Sequence, residues 1–173
     1  MEGSPLRWGI LGNGWDRAYL CERSTADRLR ARQRRGVAQQ GSADRFADEF
    51  GIATRHPSYE SLVADPNVDV VYVAIPDPMH RDDAILALRA GKPVLVKKPF
   101  AMNAAEAREI GAAARETALF AMEAMWTRFL PHVAVIRGWL ADGALGDVVT
   151  VTADHGQWSA EDPELRLFAA ESR

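Results

Sequence analysis

The feature that most constrains the fold is residues 68–75, a near-continuous apolar run rich in β-branched side chains. Such a run is typical of a strand that is covered on both faces inside a parallel sheet. Parallel neighbours have to be joined by a crossover, which is usually a helix. Residues 81–90 follow with a helical pattern and stop at Gly91, a residue that commonly ends helices. Together these signals predict an α/β fold.

Strand and helix signals alternate along the chain in the same way. Strands are predicted at residues 6–11, 68–75, 93–96, 118–122 and 147–154. Helices are predicted at residues 43–50, 58–63, 81–90, 103–115 and 131–142. This alternation predicts a doubly wound parallel sheet with helices packed against it.

Composition and charge favour an ordinary globular protein. The 173 residues are 47% apolar and carry a formal net charge of −3, which indicates neither a nucleic-acid nor a membrane partner. A single cysteine, Cys21, cannot form an internal disulfide, and the first five residues lack the pattern of a secretory signal. The longest apolar run is far shorter than the roughly 20 residues that cross a bilayer. We therefore expect a cytoplasmic location.

A glycine-rich turn follows the first predicted strand at Gly9, Gly12 and Gly14. Without side chains, the backbone of such a turn can approach a pyrophosphate, and the next helix offers unpaired N–H donors at its N-terminus. Arg17 stands where a third glycine or alanine is expected, and its side chain would crowd the packing of that helix against the strand. A tight surface turn is the alternative interpretation of so short a motif.

A lysine stands at the end of the apolar run at residues 94–96, since Lys97 and Lys98 come directly before Pro99. This position is the carboxyl edge of a predicted parallel strand, where open α/β sheets bind ligands. A partly desolvated lysine there loses its proton more readily and can pass it to or from a substrate hydroxyl. Lys98 is therefore the candidate catalytic residue, with a solvated lysine at a strand end as the alternative.

The sequence resembles the glucose-fructose oxidoreductase, inositol dehydrogenase and MocA (Gfo/Idh/MocA) family. The resemblance lies in Gly12, Gly14, the turn around Lys98 and residues 123–129. Within that family the sequence is most similar to the dihydrodiol dehydrogenase branch, and residues 16–42 fit it poorly. The resemblance implies an oxidoreductase that uses NADP or NAD. Its small-molecule substrate would be a sugar, a cyclitol or a dihydrodiol, in which a secondary alcohol and a ketone are interconverted.

The resemblance also implies the domain organisation. Residues 1–122 would form a Rossmann-type NAD(P)-binding domain, and residues 123–173 would begin an α/β domain for substrate binding and oligomerisation. The sequence stops at Arg173, soon after the first predicted strand of that second domain. We therefore expect a truncated chain with little activity alone, and a catalytically inactive nucleotide-binding remnant is the alternative.

Individual site residues follow from the same resemblance. Lys98 matches the family's lysine for proton transfer or substrate orientation, and its bond to Pro99 is expected to be cis, an isomer that costs little before proline. Lys97 stands where the family has a glutamate. The expected cofactor contacts are Gly9, Gly12, Asn13, Gly14, Trp15, Ile75, Pro76, His80, Lys97, Trp126 and Arg128.

Structural roles are the alternatives for some of these residues. A histidine at a helix start, such as His80, is more often a capping or surface residue, and Trp126 with Phe129 has the helical spacing of core packing. The four histidines and the single cysteine show no metal-ligand spacing, so no metal site is predicted.

Residues 16–42 contain no apolar run for the second strand, which would carry the residue that distinguishes NAD from NADP. The five arginines from Arg28 to Arg35 are compatible with a solvated basic helix, with a 2′-phosphate site or, less well, with nucleic-acid binding. A translated frame error or a degraded gene explains the segment better. Reading the nucleotide sequence in the other two frames tests this hypothesis, which fails when neither frame encodes an apolar strand.

We expect the purified chain to bind dinucleotides weakly and to discriminate poorly between NAD and NADP. The physical reason is that Arg17 stands where the helix should pack closely against the first strand, and that the sequence shows no apolar run for the second strand. Titration calorimetry with each dinucleotide checks this expectation. Tight binding of one form over the other would contradict it and would point to an arginine between Arg28 and Arg35 as a phosphate contact.

Overall fold

A computed structural model of the protein describes residues 6–12, 54–154 and 156. The predicted helix at 43–50, the cofactor contacts predicted at residues 13–15 and the arginine-rich segment lie outside the described residues. The chain divides into two compact units, Met1–Trp126 and Thr127–Arg173.

Four parallel strands form one sheet in the first unit, and they follow one another in sequence order. They are β1 (Trp8–Leu11), β2 (Val70–Val73), β3 (Val94–Val96) and β4 (Ala121–Glu123). All four residues of β2 are buried, as the apolar run predicted. The predicted parallel α/β architecture is confirmed.

Three helices of the first unit pack side by side, and each also contacts the sheet. They are α1 (Tyr59–Val63), α2 (His80–Arg89) and α3 (Ala104–Thr117). A fourth helix, α4 (Pro131–Ala141), lies in the second unit, and short 3-10 helices occupy Asp77–Met79 and Trp126–Phe129. No helix within the described residues is long and apolar enough to span a membrane.

Local sequence signals explain where these helices begin and end. Ser58 and Ser61 bond to each other's backbone N–H groups across the first turn of α1, a reciprocal cap. The Oδ1 atom of Asn103 accepts the N–H of Glu106 at 3.0 Å, which caps α3. Gly91 after α2 has a φ of 81°, a left-handed conformation that favours glycine.

The core lies between the sheet and these helices, where Val71 and Val73 of β2 are buried with Leu88 of α2 and Ile110 of α3. Residues of this kind each stabilise the fold by about 1.5–3 kcal/mol when fully buried. A histidine, His80, is as completely buried as they are.

The predicted strand at residues 147–154 is wrong, because the structure shows no strand there. These residues are exposed, and Val149 retains 93% of its accessible surface. A strand has to share its backbone hydrogen bonds with a neighbour. No described residue pairs with this segment, so its alternating sequence is not enough to form one.

An ionic contact joins the amino ends of β1 and β2. Arg7 donates to Asp69 from its backbone N–H at 2.7 Å, from Nε at 2.9 Å and from Nη2 at 2.6 Å. The same edge is closed by Lys92, whose Nζ donates to the carbonyl oxygen of Val68 at 2.7 Å. The hydrogen bonds from Arg7 lower the pKa of Asp69 from 3.8 to about 2.

We expect Asp69→Asn to lower the free energy of unfolding by about 1 kcal/mol at neutral pH, because a partly exposed pair is screened by solvent. A carboxylate with a depressed pKa in the folded state stabilises above its unfolded pKa of 3.8, and this contribution is lost as pH falls from there towards about 2. Urea unfolding of both proteins at several pH values measures the difference. A difference that stays constant over this pH range would contradict the assignment.

A second carboxylate, Asp83, is buried near other acidic groups, whereas Asp69 is bonded to an arginine. It is 9% exposed on the first turn of α2, and burial, reinforced by the charges of Asp82 and Glu60, raises its pKa from 3.8 to about 6. The nearby Asp83 charge also raises the pKa of Tyr59, although burial of that phenol is the larger cause. The carboxylate therefore opposes folding at neutral pH.

We expect Asp83→Asn to raise the free energy of unfolding at neutral pH, by at most about 3 kcal/mol for a pKa shift of this size. The penalty exists only where Asp83 is ionised, so it is complete above about pH 6 and disappears below 3.8. Denaturant melts above and below this window check the sign. Equal stability of the two proteins at high pH would show that Asp83 is solvated well enough to ionise freely.

Candidate active site

The four parallel strands end at one edge of the sheet, which we call the carboxyl edge. Four segments that are distant in sequence therefore meet there, as parallel sheets require. They are the turn at Gly12, the loop after β2 at residues 74–80, the turn at residues 97–100, which we call the Lys98 turn, and the end of β4 at Glu123.

Gly12 lies directly after β1 with a φ of 107°, which L side chains rarely adopt. A Cβ atom there would also collide with the carbonyl oxygen of Ala74, so only glycine fits. Gly9 lies inside β1 instead, where a Cβ would come within 2.7 Å of Leu62 and 2.9 Å of Val68. Packing against these two side chains explains Gly9 without a ligand.

The loop after β2 carries three predicted cofactor contacts with different exposures. Ile75 is buried, Pro76 is exposed and His80 is completely buried at the start of α2. The alternative of a surface histidine is therefore wrong for His80.

Both ring nitrogens of His80 contact backbone carbonyl oxygens. Nδ1 lies 2.7 Å from the oxygen of Pro99, and Nε2 lies 3.0 Å from the oxygen of Ile75. A carbonyl oxygen only accepts, so the imidazole is the donor in a hydrogen bond with either. The ring therefore links the loop after β2 to the Lys98 turn.

The Lys98 turn continues from β3, with the Lys97 N–H donating to the Val73 carbonyl at 2.9 Å. The Lys98–Pro99 peptide bond is cis, as predicted. The expectation that Lys98 is partly desolvated is not met, because its side chain is exposed. Within the described residues the Lys98 ammonium has no hydrogen-bonding or ionic partner.

Glu123 contributes a contact that sequence reasoning missed. Its side chain, half-buried at the end of β4, accepts the N–H of Phe100 through Oε1 at 2.9 Å. The available signal was positional: an acidic residue ends the strand that follows β3, and neighbouring parallel strands end side by side.

Trp126 and Arg128 are exposed in the 3-10 helix after β4. Trp126 keeps 61% of its accessible surface and Phe129 keeps 65%, so the core-packing interpretation is wrong for both. In the described part of the chain, no group of three or more histidine, cysteine or acidic side chains could hold a metal ion.

Residues 6–124 match the oxidoreductase family with an NAD-binding Rossmann fold. Trans-1,2-dihydrobenzene-1,2-diol dehydrogenase from pig (Sus scrofa) is 41% identical over 163 residues, which cover 91% of this chain and 48% of the relative. The human (Homo sapiens) protein of the same name is 41% identical over 154 residues, 88% of this chain and 46% of that one. The chain therefore spans about half the length of these curated relatives.

Solved structures of oxidoreductases are also similar. A 3-ketoreductase from Actinomadura kijaniata, in complex with NADP and TDP-benzene, is 30% identical with a TM-score of 0.69, over 81% of this chain and 43% of its own. Biliverdin reductase from Synechocystis, with biliverdin and NADP+, is 27% identical with a TM-score of 0.65, over 80% of this chain and 43% of its own. Sequence match and fold lead to one conclusion, that this chain belongs to the oxidoreductase family with an NAD-binding Rossmann fold.

Proposed function

We propose that this chain is the nucleotide-binding part of an NAD(P)-dependent oxidoreductase that interconverts a secondary alcohol and a ketone, with Lys98 as the residue that moves the proton. The substrate is a dihydrodiol, a sugar or a cyclitol. The observation that carries this proposal is an exposed lysine at the carboxyl edge of a parallel sheet, on the same edge as the Gly12 turn.

The similarity to relatives supports the reaction class and ranks the substrates. Two relatives at 41% identity are named dihydrodiol dehydrogenases, which makes a dihydrodiol the first substrate to test. The similar structures of a 3-ketoreductase and a biliverdin reductase indicate that one fold accommodates different substrates.

The Gly12 turn meets one requirement of a dinucleotide site. Its φ and the nearby Ala74 carbonyl exclude any side chain, so the backbone stays bare where β1 ends. A pyrophosphate binds at such a turn in folds of this kind, and Ile75 and Pro76 would contact the same dinucleotide. When bound, the nicotinamide ring supplies the hydride chemistry that no amino-acid side chain provides.

The side chains of this protein then have to transfer the hydroxyl proton of the substrate. In the oxidation, Lys98 Nζ as the neutral amine takes the proton of the substrate hydroxyl and becomes the ammonium. In the reduction, the ammonium gives that proton back to the oxygen. A lysine suits this step because its ammonium loses a proton readily in the right surroundings, which an arginine does not. Its exposure leaves Nζ accessible to a substrate.

The first test is turnover by the 173-residue chain alone, and by a joined protein. The joined protein carries the C-terminal half of the pig relative after residue 168 and that relative's intact segment in place of residues 16–42. We expect the joined protein to reduce NADP or NAD in the presence of a dihydrodiol, followed by the absorbance of the reduced nicotinamide. Lys98→Ala should lower kcat by about a hundred- to ten-thousand-fold, the usual size of a positioned proton transfer.

Lys98→Arg is the matched control, because it keeps the positive charge but gives up no proton. We expect it to be as inactive as Lys98→Ala. Full activity of Lys98→Arg would assign Lys98 a purely electrostatic role. No turnover by any form of the unmodified chain would favour a nucleotide-binding remnant without catalysis.

A further inference from the structure

We propose that His80 and Glu123 are positioning residues that fix Lys98 by holding the peptide unit between Pro99 and Phe100. His80 bonds the carbonyl oxygen of this unit and Glu123 bonds its N–H. The inference rests on the proposed function, because it concerns how Lys98 is held for proton transfer.

Lys98 needs such support because its own side chain provides none. Within the described residues the Nζ atom of Lys98 has no partner. A lysine side chain is also flexible, because four carbon atoms separate Nζ from the backbone Cα. The backbone therefore has to set where the side chain starts. On the amino side this is done by the Lys97 N–H, which is bonded to β2 through the Val73 carbonyl.

On the carboxyl side, the support comes from one planar group. The carbonyl of Pro99 and the N–H of Phe100 belong to the same peptide unit, whose atoms are rigidly coplanar. Holding both polar ends of that plane fixes its position one residue beyond Lys98. The two partners come from different segments, the start of α2 and the end of β4, so the turn is bonded to a segment on each side of it along the chain.

The His80 contact is built into the core. The ring is completely buried, its Nδ1–oxygen distance is 2.7 Å, and Nε2 lies 3.0 Å from the Ile75 carbonyl. A neutral imidazole donates to one of these oxygens and the doubly protonated ring donates to both. The acidic groups that face the ring are Asp77, whose Oδ1 lies 3.9 Å from Nε2, and Asp83.

The Glu123 contact is the better one to alter, because its side chain is only half-buried and the protein should fold without it. Removing the carboxylate leaves the half-buried Phe100 N–H without its acceptor. Glutamine keeps an acceptor oxygen at the same reach, removes the charge and carries an NH2 group in place of the second oxygen. Glu123→Ala and Glu123→Gln therefore separate the hydrogen bond from the charge.

We expect Glu123→Ala to lower kcat by about 10- to 100-fold, measured in whichever of the two proteins is active, the chain alone or the joined protein. A displacement of Lys98 on the order of 1 Å has an effect of this size. KM for the dinucleotide should change by less than about threefold, because neither Glu123 nor Phe100 is among the predicted cofactor contacts. Glu123→Gln should keep kcat within about threefold of the unmodified protein. His80→Leu should lower kcat as Glu123→Ala does, while His80→Asn, which keeps a donor near Nδ1, should retain more activity.

Ser58→Ala is the matched control for stability, since it removes the cap of α1 at a cost of about 1 kcal/mol and leaves the Lys98 turn unchanged. Native-state exchange of the Phe100 amide, measured by NMR, provides a reading that needs no substrate. Exchange should be faster in Glu123→Ala and unchanged in Glu123→Gln and Ser58→Ala, after correction for global stability.

Full kcat in Glu123→Ala, or an equal loss in Glu123→Ala and Glu123→Gln, would overturn the positioning role. Unchanged Phe100 exchange in Glu123→Ala would overturn the hydrogen bond itself. If no form of the unmodified chain is active, the proposed function fails separately, and the exchange data alone then decide whether Glu123 holds the turn.

Discussion

Parallel pairing of β2 on both of its sides is the constraint on which the rest of this structure depends. Its four residues are buried, and its backbone is bonded to β1 on one side and to β3 on the other. Because all strands run the same way, each must be followed by a crossover that returns to the opposite edge. Parallel pairing therefore places the carboxyl ends of the four strands side by side, whatever residues follow them.

This geometry explains why residues far apart in sequence share one site. His80 belongs to the crossover after β2, Lys98 follows β3 and Glu123 ends β4. The contacts among these segments are hydrogen bonds to backbone groups, which leave the Lys98 side chain available. Such an arrangement orders the turn before a ligand binds, which reduces the entropy that binding would otherwise cost.

The sequence was a good guide to elements with a local cause. The apolar run of β2, the helix starts near Ser58 and Asn103 and the glycine stop at Gly91 were all predicted, because each depends on a few adjacent residues. The position of Lys98 at a strand end followed from the same local pattern.

Features that depend on distant partners were not readable. The segment at 147–154 alternates like a strand, yet pairing requires a neighbour that no local pattern reveals. The same holds for the exposure of Lys98 and for the burial of His80, which faces two carbonyl groups from separate segments. The Glu123–Phe100 bond joins residues 23 positions apart.

The contact between Arg7 and Asp69 lies at the edge of the sheet opposite to the Lys98 turn. Substitutions in the loops at the carboxyl edge can therefore accumulate with little effect on the ionic contact at the amino ends of the strands. This division of labour offers a physical route by which one scaffold acquires new substrates during evolution.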